Sequence, residues 1–243
     1  FMMTPVQVVT AVHFGETIQD CSLADIKLER APLRGGIFRG VDFSNADLSW
    51  ADLRESSFIE CNFSGANFTG ALLRATVFHQ SCLSHAQCVG SQWLNAKLIE
   101  SDLSAADLRQ TDFKLAAFSQ CKLDGAIWKS TSLPQASLLQ SSMVGVDFTG
   151  SVMHQTIFSE CLLDHALMAE LHCTLTMFSK LDFSKRDFSK LSFIGCQFHE
   201  TKLVQTNFSE ACLDQCNFMG ADLSGAQFIR ANAANCLFPN VRA

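Results

Sequence analysis

Every fifth residue from Ile18 onward is large and apolar. Ile18, Leu23, Leu28, Leu33, Phe38, Phe43, Leu48 and Leu53 open a series that runs without a slip to Phe228, Ala233 and Phe238. These 45 consecutive positions are nearly all Leu, Phe, Met or Trp, with Cys88, Cys173 and Ala233 as the small exceptions. Two residues before each large site stands a smaller one, as in Cys21, Ala31, Ala46, Ala51, Ser56, Cys61, Ala66, Ala71 and Thr76. The pattern recurs late in the chain at Ala211, Cys216, Ala221, Ala226, Ala231 and Cys236. Neither the 3.6 period of a helix nor the 2.0 of a strand fits this spacing. A chain that turns a corner every five residues does, and four such sides make a coil of twenty.

Stacked coils pair their backbone groups with the coils above and below, about 4.8 Å apart. About eleven coils then form a rod on the order of 53 Å long. An open solenoid end exposes core and unpaired backbone, so it needs a cover. Thr4-Pro5 reads as an N-cap followed by proline at the first helical position, predicting a short helix over residues 5–13 that closes the first coil. The chain divides into an N-terminal cap, residues 1–15, and a single β-helix domain, residues 16–240. No helix signal follows Phe238-Pro239-Asn240-Val241. A region excised from a longer protein would account for both ends.

Composition adds detail. Of 243 residues 48% are hydrophobic, with 21 Phe and no Tyr, which suits a dry interior that offers a phenol no partner. The net charge of −6 argues against direct nucleic-acid binding, which favours basic surfaces. Eleven cysteines follow the repeat rather than any metal spacing, and read as small buried thiols in a reducing, cytoplasmic setting. No apolar run approaches membrane-spanning length.

The segments NADLSWADLR (45–54), GANFTGALL (65–73), SAADLRQTDF (104–113) and MGADLSGAQF (219–228) resemble the A(D/N)Lxx units of the pentapeptide-repeat family. The resemblance covers about residues 16–240 and implies an all-β fold, a right-handed quadrilateral β-helix with both the large and the small residue pointing inwards. The opening TPVQVVTAVHFGETIQDCSL and the phrase LDFSKRDF also resemble repeat regions appended to larger bacterial proteins, including ones associated with type VI secretion. Export by a specialised secretion system therefore stays open.

Chemistry is sparse. No nucleophile elbow, P-loop, HExxH or dinucleotide fingerprint occurs, and the seven histidines are scattered. His165 and His172 lie near Asp164 and Glu170, and Cys196, Cys216 and Cys236 fall in one column, without the four-ligand spacing of a zinc site. We expect no enzyme, no cofactor and no small-molecule substrate.

Residue number modulo twenty assigns each outward side chain to a face. The face centred on Phe38, Phe58 and Phe78 carries Ile37, Ile59, Val77, Ile99, Leu139, Ile157, Met177, Met219 and Leu237. Such a strip on a rod marks an interface, the alternative being that β-branched residues merely suit strand-like sides. Another face carries Arg34, Arg54 and Arg74 in register. Asp42, Asp102, Asp182 and Asp222, with Asp47, Asp107, Asp147 and Asp187, stand where the family motif favours Asp, to bond the turn backbone.

One stretch breaks the small-residue rule. Leu171, Leu181, Arg186 and Leu191 occupy small sites, beside Lys180, Lys185 and Lys190. This predicts a local bulge or widened coil, or else a basic binding spot formed by Lys180, Lys185, Arg186 and Lys190. The expected function is a bacterial protein-interaction scaffold or adaptor, binding a partner protein by a flat face and self-associating by face or end stacking. The alternative is the one the resemblance implies for quinolone-resistance members: a DNA mimic that binds a type II topoisomerase such as gyrase.

Overall fold

A computed structural model describes residues 3–243 and shows a right-handed, four-sided β-helix capped at its N-terminus by one helix, α1 (Pro5–His13). The cap forms as its sequence predicts. Thr4 accepts from the Gln7 amide while the Gln7 side chain accepts from Thr4 N–H, a reciprocal capping box, and Val8, Ala11 and Val12 seal the first coil.

Ten three-residue strands, from Thr17–Gln19 to Gln197–His199, stack in parallel as the main sheet. Each pairs in strict register with the residue twenty places on, for instance Phe38 with Phe58 and Phe58 with Phe78. The strands of this sheet therefore account for nine coil-to-coil steps, slightly short of the eleven or so coils expected for the whole chain. Beyond it, single bridges Gln197–Asn217 and Asn217–Leu237 carry the register to the end, where Asn217 and Leu237 are held by isolated contacts instead of strands. On the other three sides most coils pair through single bridges such as Asp42–Asn62, Asp47–Asn67 and Asp52–Leu72, and one of these sides forms a short second sheet late in the chain.

The corners explain the period. Every residue whose number is a multiple of five, from Gly15 to Asn240, has a positive φ, including bulky Trp50, Leu115 and Leu175. In the coil after residue 40, the amides of Ala46, Ala51 and Ser56 donate to the carbonyls of Phe43, Leu48 and Leu53, closing three corners as tight turns. A positive φ at the third turn position is the type II geometry. Gly70 is a corner that needs its glycine, since a Cβ there would sit 2.4 Å from the indole of Trp50 in the coil below.

Inside, identical rings stack. Phe43 lies 4.8 Å from Phe63 at an interplanar angle of 3°, and Phe198, Phe218 and Phe238 continue the habit at 5.0 and 5.1 Å. The strand spacing sets the ring spacing, while edge-on contacts such as Phe58–Phe63 join neighbouring sides. The small sites do more than fill space. Ser56, Thr76, Thr131 and Thr206 each donate a hydroxyl to the carbonyl 23 residues earlier, at 2.8 to 2.9 Å. Cys121 and Cys161 make the same bond with sulfur. Burial pushes both thiols up to about 11, so they are inert fillers.

Candidate interaction surface

The main-sheet face brings the predicted apolar residues onto one flat side. Register places Ile37 opposite Ser57, with Ile59 beside it on the same strand as Ser57, then Val77 and Ile99 on the next two strands. The apolar residues therefore zigzag between the two outward columns. The line resumes at Leu139, Ile157 and Met177, the last two directly paired, and again at Met219 and Leu237. Ile37 is 41% exposed and Met177 40%, whereas Ile59, Val77 and Ile99 are half-buried between polar neighbours. Met177, Gln197, His199, Asn217 and Met219 frame a shallow groove of 260 Å³ on this face.

The charged columns are largely internally engaged. Glu55 bridges Arg34 at 2.8 Å and Arg74 at 3.3 Å, one coil to either side. Arg54 grips Asp52, and Arg109 grips Asp107, each through two nitrogens. Asp42, Asp47, Asp102 and Asp187 accept the backbone amide two residues on, the turn-bonding role expected of them. These bonds favour the carboxylate: the Ser49 hydroxyl holds Asp47, and the Arg109 guanidinium holds Asp107, below the ordinary range.

The irregular stretch does not bulge: its phase of five is intact, but its coils part. On the two sides spanning 161–170, six backbone hydrogen bonds tie the coil to the one below, and six tie 181–190 to the one above. Between 161–170 and 181–190, among the described residues, there are none. The other two sides stay closed, through Ile157–Ser159 with Met177–Ser179 and through a second sheet of Val152–His154, His172–Thr174 and Ser192–Ile194.

Arg186 is the physical cause. It bonds the carbonyl of Leu163, 23 residues earlier, as a regular serine or threonine would, and also that of Ala166 at 3.1 Å. Its side chain is several bonds longer than a hydroxyl, so the same bond props the coils apart. Leu181 adds bulk at the neighbouring small site. Lys180, Lys185 and Lys190 lie on three successive corners, Lys180 paired with Glu160 at 3.4 Å, so they stand on separate edges of the rod while Arg186 turns inwards. Sequence reading missed the gap. Its signal was the run of oversized residues at small sites, together with Leu162 and Leu167 in columns where several other coils place Asp or Asn.

Among the described residues no cluster of three or more His, Cys, Asp or Glu is arranged to hold a metal ion, and no helix is long and apolar enough to cross a membrane. The geometry is that of a β-solenoid whose functional groups lie on flat faces. The pentapeptide-repeat family model matches in eight copies, over residues 21–150 and 182–240. The chain belongs to this family, and the unmatched interval contains the lower wall of the gap. Two of the solved structures to which the chain is similar show the same fold. One is HetL, a pentapeptide-repeat protein involved in heterocyst differentiation regulation from the cyanobacterium Nostoc, at 21% identity over 94% of both chains with a TM-score of 0.54. The other is trypsin-treated QnrB1, a plasmid-mediated fluoroquinolone resistance protein, at 22% identity over 87% of this chain and 91% of that one, with a TM-score of 0.59. Among curated proteins none matches.

Proposed function

We propose that this chain is a non-enzymatic scaffold of bacterial type that binds a partner protein through its main-sheet face. The observation that carries the reading is the zigzag of apolar residues from Ile37 to Leu237 on a surface of fixed register. Isolated exposed apolar residues are ordinary on any protein, but a line of them along one flat side is the mark of an interface. Replacing Ile99, Leu139 and Ile157 together with Asp tests it. Loss of partner capture or self-association, with an unchanged β-rich circular dichroism spectrum, is the expected result. Capture equal to the unaltered chain would overturn the reading.

The DNA-mimic alternative has less support. A mimic needs unbroken negative potential along the rod, whereas here Arg34, Arg54 and Arg74 interleave with the carboxylates and hold Glu55 and Asp52. Inhibition or relief of gyrase supercoiling that fades steeply with salt would favour it over the scaffold.

A further inference from the structure

The gap is a second candidate site, on sides of the rod that the apolar face does not include. Its larger cleft, 470 Å³, lies between residues 168–172 below and 187–192 above. Met168 and Leu191, both half-buried, and buried Leu171 form an apolar floor. Next to Met168 on the lower coil, Leu167 is 57% exposed, at a position where the coils below and above carry Asp147 and Asp187.

The backbone defines what fits. One coil pair down, Phe148 and Gly150 donate to the carbonyls of Leu167 and Ala169, and one pair up, Phe188 and Lys190 donate to those of Asn207 and Ser209. Across the gap the corresponding amides of Met168 and Glu170, and the facing carbonyls of Asp187 and Ser189, have no backbone partner among the described residues. Two donors thus stand on one wall and two acceptors on the other, beside an apolar lip. An edge of unpaired donors and acceptors is a template for pairing with another chain, and an added strand satisfies them in alternation.

We propose that this cleft docks an extended polypeptide segment of about five residues, which adds a parallel strand to residues 166–170 and lays an apolar side chain over Leu167. Arg186 holds the coils apart before the segment arrives, so the cost of opening the ladder is met in the free protein.

The test uses the full chain and the acetylated, amidated ten-residue peptide of its own residues 163–172, whose central leucine copies Leu167. Binding in fluorescence anisotropy is expected, with slowed hydrogen exchange at the Met168 and Glu170 amides. Arg186→Thr restores the regular small residue and should weaken binding at least tenfold. Leu167→Asp should weaken it several-fold while leaving Arg186 in place, and decides the matter if the first variant does not fold. Absence of binding at millimolar peptide, protection confined to the main sheet, or unchanged affinity in the variants would each overturn the proposal. Self-association through the gap that the peptide fails to displace would assign it to a second copy, and also overturns it. The Ile99, Leu139 and Ile157 variant should bind the peptide normally, which separates this site from the scaffold face.

Discussion

Coils 41–150 and the segment 151–200 share one period, one set of left-handed corners and one inward pattern, yet only the first is closed on all four sides. The difference lies in a few small sites. Where Ser, Thr, Cys or Ala fills them, neighbouring coils sit at ladder distance. Where Leu181 and Arg186 fill them, two sides open while the two adjoining sheets hold. The lesson is that the large residues fix the phase, whereas the small ones fix the distance between coils.

Four substitutions break or sharpen that comparison. The largest effect should come from the closed core: Phe118→Ala leaves a cavity in a fully buried stack and should cost roughly 3–5 kcal/mol in chemical denaturation. Met168→Ala, at the equivalent inward position beside the gap, should cost only about 1–2 kcal/mol because Met168 is already half-buried. Equal losses would mean that the gap closes in solution.

Next in size is Arg186→Thr. With a short hydroxyl in place of the strut, the six missing ladder bonds can form, and thermal unfolding should rise by about 1–2 kcal/mol of stability. Amide exchange at Leu163, His165, Met168 and Glu170 should slow in parallel. A destabilised protein with fast exchange there would show that Arg186 is needed for packing rather than separation.

The smallest effect concerns acid. The carboxyls of Asp47 and Asp107 titrate below the unfolded value of about 3.9. Their contribution is therefore present above about pH 4 and lost as pH falls through the lowered value. Asp47→Asn keeps an oxygen for the Ser49 amide but removes the charge, and should flatten the fall in unfolding midpoint between pH 5 and 3. On the lower lip of the gap Leu162 and Leu167 stand where 41–50 has Asp42 and Asp47, so exchange in 161–170 should respond less to acid than in 41–50.

Much of this architecture was legible because a period of five admits few alternatives. Ile18 to Phe238 gave the inward columns, Thr4-Pro5 the cap, and residue number alone put Ile37 and Leu237 on one face. The left-handed corners had a signal that was not used: all the glycines except Gly36 fall on multiples of five. The gap was only half legible. Arg186 and Leu181 announced a misfit, but whether a coil swells on every side or parts on two depends on the strands at 152–154 and 172–174 holding their register. That balance is a matter of distances between coils, which residue identities alone do not encode.

The invariant twenty-residue register also makes the rod a ruler for insertion and deletion. Removing a whole coil shortens the molecule and leaves every column aligned. Removing one five-residue unit rotates everything beyond it by a quarter turn, carrying Met219 and Leu237 off the face that holds Ile37. Change in length is thus tolerated in steps of twenty, and a change of five redraws every outer surface downstream while the core still closes.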